Sequence, residues 1–245
     1  MEYVRSPTVR LEGEIMPLVN QQIVGLGGYS ASDSETDSLL RHVVGLTGVE
    51  RPHILCVPTA VGDSTEGIVR FYERYEGLGE LSHMRFFPYP PSNLRERVLG
   101  ADAIFVSGGN TANMLAIWRV HGFDALLREA WEAGVVLFGG SAGMICWFEA
   151  GVTDSFGPQL EGMEDGLGFL AGSACPHYDG EPLRRPRYRE LVDAGYPEGI
   201  AADDGVGIHY VGTELREVVT CRPDATAYRV TRAGEEPLPA RLIGG

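Results

Sequence analysis

Ser141 stands in Gly139-Gly140-Ser141-Ala142-Gly143, directly after the apolar run Val135-Val136-Leu137-Phe138. A serine between small residues at a strand-to-helix turn has a mechanical use. The turn is too tight for bulky neighbours, it lifts the Oγ above the sheet edge, and it aims the next backbone N–H at a developing oxyanion. The following Met144-Ile145-Cys146-Trp147-Phe148 is apolar enough to form a buried helix. This is the setting of the nucleophile in a serine hydrolase. A bare Gly-x-Ser-x-Gly also arises as a packing turn, so the reading depends on partners elsewhere in the chain.

A nucleophilic serine needs a base and a group that holds the base in the right tautomer. Six histidines are available. His42 and His121 lie in helical patterns, and His53 and His83 open strands. His177 follows Cys175-Pro176 and leads into Tyr178-Asp179-Gly180, a turn from which an imidazole can reach Oγ; His209 is next in order. Asp154, Asp179, Asp203 and Asp204 are candidates for the third member. Asp203-Asp204-Gly205 lies between apolar Ile200-Ala201-Ala202 and Val206-Gly207-Ile208, where an unpaired acid is costly, which places that pair ahead of the others.

The elements that must hold these groups follow from periodicity. Residues 22–26, 53–57, 84–87, 103–106 and 135–138 are short apolar runs that read as strands. Helical patterns lie between them at about 35–46, 65–78, 112–120 and 124–133, the first opened by Ser and Asp capping candidates. Short, continuously apolar strands alternating with helices predict an α/β sandwich on a mostly parallel sheet with right-handed crossovers. Ligands bind such sheets beyond the carboxyl ends of the strands. The Gly-rich segments 27–28, 108–109 and 139–143 fall at such ends. Residues 151–172 read as a long loop or hairpin, and 206–211, 216–221 and 226–231 as strands without helices between them. That pattern predicts a more antiparallel C-terminal part completing one domain over 21–245. Residues 1–20 read as an N-terminal extension, in which Met16 is an alternative translation start.

The bulk numbers exclude several classes. The chain has 245 residues, 44% of them hydrophobic, which supports a substantial core. A net charge of -14 leaves no global basic footprint for nucleic acid or for an anionic membrane. Cys56, Cys146, Cys175 and Cys221 are widely spaced, which predicts reduced thiols rather than a zinc site or a disulfide framework. No apolar run reaches the roughly 20 residues of a membrane span, and the N-terminus lacks an apolar secretory segment. The expected compartment is the cytoplasm.

Several ordered motifs together resemble the peptidase E (aspartyl dipeptidase) family of serine peptidases, to which cyanophycinase-like enzymes are related. They are Leu26-Gly27-Gly28, Val106-Ser107-Gly108-Gly109-Asn110-Thr111, Phe138-Gly139-Gly140-Ser141-Ala142-Gly143, Thr153-Asp154-Ser155, Pro176-His177-Tyr178 and Asp203-Asp204-Gly205. Gly-Gly-Asn-Thr followed about thirty residues later by Gly-x-Ser-Ala-Gly is the specific combination. The resemblance spans roughly residues 22–231. It implies a glutamine-amidotransferase-like, flavodoxin-related three-layer α/β fold. It also implies hydrolysis of short peptides through an acyl-enzyme, without metal or cofactor, and it allows a homodimer. Residue by residue, it assigns Ser141 as nucleophile, His177 as base, Asp204 as the orienting acid, and the N–H groups of Gly109 and Ala142 as the oxyanion hole. Asn110 and Asp154 match positions near the substrate, where Asp154 would receive a free amino group.

Family members that cleave after an N-terminal Asp need an arginine for its carboxylate. Arg184, Arg185, Arg187 and Arg189 form the dense basic cluster, with Arg184 the candidate for that contact; the alternative is a solvated helix face paired with Glu181 and Glu190. The segment between His177 and this cluster is shorter than in the strictly Asp-specific enzymes, so Asp-X cleavage and a broader dipeptidase both stand as expectations. An esterase of the α/β-hydrolase type could use Asp154 or Asp165 with His177 in its nucleophile-acid-histidine order, but it would lack its HGGG-type loop and leave Gly108-Gly109-Asn110-Thr111 unexplained. A disabled binding module would not need the Ser, His and acid set. A glutaminase would carry Cys at position 141.

Overall fold

The computed structural model describes residues 21–29 and 33–244; the N-terminal extension and Met16 lie outside the described residues. The first half of the chain alternates as its periodicity predicts. Strand β1 (Gln22–Leu26) precedes helix α1 (Asp33–Gly45), and β2 (His53–Val57) precedes α2 (Thr65–Arg74). Then come β3 (Glu80–His83), α3 (Leu94–Leu99), β4 (Ala103–Val106), α4 (Thr111–Val120), α5 (Phe123–Glu132) and β5 (Val136–Gly140). Ser64 caps α2 by accepting from the Gly67 N–H, and Asn110 caps α4 by accepting from the Asn113 N–H.

One expected strand is displaced. Met84–Phe87 reads as a strand by apolarity, yet β3 occupies Glu80–His83. This strand is at the sheet edge and only half-buried, so it carries Glu, Ser and His; Met84 and Phe86 enter the core just beyond it. The helix after Ser141 is also shorter than Met144–Phe148 suggests. It is a single turn, α6 (Ala142–Ile145), and Phe148 already opens β6 (Phe148–Thr153).

The stretch expected as a loop contains β7 (Glu161–Met163) and runs into β8 (Leu170–Cys175). β8 is built largely from Gly, Ala and Ser and has no β-branched residue to signal a strand. Close packing explains the choice: a Cβ on Gly172 would come 2.6 Å from the Glu198 carbonyl oxygen. The remainder is α7 (Arg184–Asp193), β9 (Gly199–Ala202), β10 (Val206–Val211), β11 (Glu214–Thr220), β12 (Ala227–Thr231), β13 (Gly234–Pro237) and β14 (Ala240–Leu242).

Two mixed sheets result. The larger has the order β14-β11-β10-β1-β5-β4-β2-β3, parallel from β1 to β3, with β10 antiparallel to both β1 and β11. The smaller runs β13-β12-β9-β8-β6-β7, with β6, β8 and β9 parallel. This is the α/β class the alternation predicts, with the antiparallel pairing concentrated in the C-terminal part.

Successive residues on one strand face opposite layers. Leu137 of β5 joins the core that holds Met114, Leu115 and Trp118 of α4, while Val136 and Phe138 join Leu39, Leu40 and Val43 of α1 and Phe71 of α2. The larger sheet therefore has an α4 face and an α1–α2 face. The active-site candidates sit on the edge between them, at the carboxyl ends of β1, β4 and β5.

Candidate active site

The turn that follows β5 carries Ser141 at φ 56° and ψ −116°, a backbone conformation that L-residues rarely adopt. The glycines around it answer a packing demand. A Cβ on Gly139 would lie 2.3 Å from the Val106 carbonyl oxygen, and one on Gly143 would lie 2.2 Å from the same atom. Side chains there would push the turn off β4. With them absent, the chain reverses sharply and leaves the Ser141 side chain half-buried at the sheet edge.

Three successive carbonyls at the end of β1 fix the register of the site. The Ser141 N–H donates to the Leu26 carbonyl at 3.3 Å, the His177 N–H to Gly27 at 2.9 Å, and the Gly205 N–H to Gly28 at 3.0 Å. Leu26-Gly27-Gly28 thus ties together the loops that carry Ser141, His177 and Asp204. Glycine is required here because the loops approach so closely. A Cβ on Gly27 would lie 2.2 Å from the Asp203 carbonyl, and one on Gly28 would lie 1.9 Å from Asp204 Oδ1 and 2.6 Å from His177 Nδ1.

His177, just beyond β8, has φ 54°. Its Nδ1 hydrogen bonds Asp204 Oδ1 at 2.7 Å, with both side chains about one-fifth exposed. A neutral imidazole donating from Nδ1 leaves Nε2 as the free acceptor, which is the tautomer a base needs. Among the described residues no hydrogen bond joins the Ser141 hydroxyl to this ring; such contacts often tighten only when substrate binds.

Asp203 and Asp204 separate clearly. Asp203 is 3% exposed and turns away, its Oδ2 accepting from the Thr226 N–H at 3.0 Å. Burial pushes its carboxyl up to about 6, against the Thr226 hydrogen bond, which pulls it down. Asp204 faces His177. Asp179, itself a sequence candidate for the third member, has a different place: its Oδ1 accepts from the Asp204 N–H at 2.8 Å, and its Oδ2 accepts from Arg222 at 2.8 Å. Arg222 donates as well to the Asp204 carbonyl at 3.0 Å. Both backbone polar groups of Asp204 are therefore clamped. Nothing in the periodicity singles out Arg222, because its partners come from two other loops.

Gly109 has φ 132°, and a Cβ on it would lie 2.3 Å from the Ala60 carbonyl. The Asn110 N–H donates to that same carbonyl at 2.8 Å. Among the described residues, the N–H groups of Gly109 and Ala142 donate to no backbone carbonyl. Asn110 reaches the Ser155 carbonyl through Nδ2 at 2.9 Å, and the Ser155 Oγ accepts from the Thr111 N–H at 2.9 Å. This brings the Thr153-Asp154-Ser155 turn onto the start of α4 and leaves Asp154 exposed beside it.

The basic cluster forms the start of α7, and its members have different surroundings. Arg184 is 3% exposed, donates from Nε to Glu181 at 2.7 Å and from Nη1 to the Val152 carbonyl at 2.8 Å. Arg185 pairs with Glu235, Arg187 with Glu190, and Arg189 with Asp193. His209 is buried at the far end of β1, where it hydrogen bonds Gln22 at 3.0 Å. Asp165 pairs with Arg119. All four cysteines are buried and unbridged, and burial pushes the Cys146 thiol, five residues past Ser141, well up. No helix among the described residues is long and apolar enough to cross a membrane.

Residues 23–218 match the family described as Peptidase family S51. The protein of Bacillus subtilis (strain 168) named uncharacterized peptidase YgaJ is 45% identical over 231 residues, covering 91% of this chain and 100% of that one. Two solved structures share the fold. A peptidase from an acI-B1 Actinobacterium superposes with TM-score 0.65 at 18% identity, over 92% of this chain and 97% of that one. A protein of Listeria monocytogenes EGD-e described as a candidate peptidase E gives TM-score 0.60 at 19% identity, over 80% and 96%. The family match encloses the Leu26–Gly28 segment, Ser141, His177 and Asp204 together: the chain belongs to peptidase family S51.

Proposed function

We propose that this protein is a serine-type peptidase of the cytoplasm that hydrolyses short peptides, dipeptides among them, through an acyl-enzyme on Ser141. The observation that carries the proposal is the 2.7 Å His177–Asp204 hydrogen bond, tied through Leu26–Gly28 to a strained Ser141. In this reading His177 Nε2 takes the hydroxyl proton as Ser141 Oγ attacks the scissile carbonyl. Asp204 stabilises the imidazolium, and the N–H groups of Gly109 and Ala142 hold the oxyanion. The imidazolium then protonates the leaving amine. Water, deprotonated by the same imidazole, adds to the ester carbonyl and releases the acid with Ser141 regenerated. Asp154 is exposed beside Asn110, suited to receive the free amino group of the acyl residue. Asp-X dipeptides are one substrate class within this reading. Arg184, the residue considered for their carboxylate, is already engaged by Glu181 and Val152.

A dipeptide library read by mass spectrometry tests the proposal, with Ser141→Ala as the control. Cleavage by the wild type should fall at least about 10³-fold in the variant. Efficient turnover of p-nitrophenyl esters with no peptide cleaved would replace the peptidase reading with an esterase.

A further inference from the structure

On the α1–α2 face of the larger sheet, a cleft of about 680 Å³ opens between the two helices and runs up to the catalytic edge. Its walls follow helical spacing: Asp37 and Arg41 line it from α1, and Arg70 and Arg74 from α2, each pair four residues apart. Its floor is aromatic. The rings of Phe71 and Phe105 stack at 5.8 Å, and Tyr75 lies 5.1 Å from Phe105. At the inner end are Tyr29, Ser107 and Gly108.

That inner end adjoins the active site. A Cβ on Gly108 would sit 3.2 Å from the Ser141 Cβ. Tyr29 directly follows Gly28, the residue packed under His177 and Asp204. The Ser107 Oγ is a buried polar atom without a partner, the kind of group a substrate amide satisfies.

Direction follows from the two faces. Asn110, Asp154 and Ser155 lie at the start of α4, whose buried side chains pack on the other face of the sheet. A peptide lying across Ser141 with its amino end beside Asp154 must send its other end toward α1 and α2. His177 gives its proton to the leaving amine, and the cleft lining includes Tyr29, the residue that follows Gly28. Ligand sites of roughly 300–1,000 Å³ enclose molecules well above the size of one amino acid. The rim carries Asp37, Glu73 and Glu76 as well as its arginines, so it makes no demand for an acidic side chain. The aromatic floor favours an apolar one.

We infer that the cleft between α1 and α2 is the subsite for the leaving portion of the peptide, holding two or more residues past the scissile bond with a bulky apolar or aromatic side chain at the first. The inference deepens the serine-peptidase reading and rests on it.

The test uses the full chain and peptides sharing the N-terminal residue that the dipeptide library shows to be cleaved best. That residue is followed by Phe, Phe-Ala or Phe-Ala-Ala, or by Gly in place of Phe in each. The expected result is that kcat/KM rises at least about tenfold from dipeptide to tetrapeptide, and about tenfold from Gly to Phe. Arg70→Trp and Arg41→Trp, both at exposed positions on the walls, should each lower the tetrapeptide-to-dipeptide ratio about tenfold, chiefly through KM. Equal rates for all lengths, or an unchanged ratio in both variants, would overturn the inference while dipeptide cleavage left the peptidase reading intact. No cleavage of any peptide, with no labelling of Ser141 by a fluorophosphonate, would overturn both.

Discussion

Gly28 determines whether Asp204 can reach His177. Its missing side chain is the space that the Asp204 carboxylate and the imidazole share. Gly28→Ala should lower kcat/KM at least about 100-fold by displacing Asp204, while circular dichroism still reports a folded chain; an unchanged rate would show that the pair tolerates that displacement. Asp203 behaves differently. The unfolded chain releases this proton near the usual 3.8, the native one near 6, so between those values the unfolded state holds fewer protons and stability falls as pH rises. Asp203→Asn keeps an acceptor for Thr226 and removes the titration. Thermal unfolding from pH 4 to 7 should show the variant gaining on the wild type by up to about 3 kcal/mol; a pH-independent difference would contradict this. The tight turn at Ser141 was legible in the sequence because such a turn restricts its neighbours to small residues. Which of the adjacent Asp203 and Asp204 meets His177 was not legible from the residues alone. That choice is made by the turn, through a Thr226 hydrogen bond arriving from 23 residues away.

Among the elements, Asp204 depends on a clamp whose parts are far apart in sequence. Asp179 comes from the turn after β8, Arg222 from the end of β11, and between them they hold the N–H and carbonyl of Asp204. Gly205, at φ 80°, lets the chain pass this close: a Cβ there would lie 3.0 Å from the Arg222 Cδ. Arg222→Gln should lower kcat about tenfold or more with KM within about twofold, because a small displacement of the acid misaligns the base without touching substrate. A KM effect alone would instead assign Arg222 to substrate binding. Buried parallel strands were readable by their continuous apolar runs. The edge strand β3 and the Gly- and Ala-rich β8 were not, since one is half-solvated and the other is chosen for close packing rather than for bulk.

At the scale of the molecule, the site is assembled across both sheets. Ser141 follows β5 of the larger sheet, His177 follows β8 of the smaller one, and Asp204 lies in the turn where the chain passes from β9 of the smaller sheet to β10 of the larger. The β1 segment Leu26–Gly28 is where the two contributions meet. The alternation of strands and helices announced the first sheet; the second became visible only through long-range pairing that single-sequence periodicity does not carry. In the proposed mechanism these contributions make Ser141 a base-activated nucleophile. Reaction with a fluorophosphonate, followed by intact mass and peptide mapping, tests it most directly. One adduct is expected, on Ser141, absent in Ser141→Ala and formed at least about 100-fold more slowly in His177→Ala. An adduct on any other residue, or one that persists in Ser141→Ala, would contradict it.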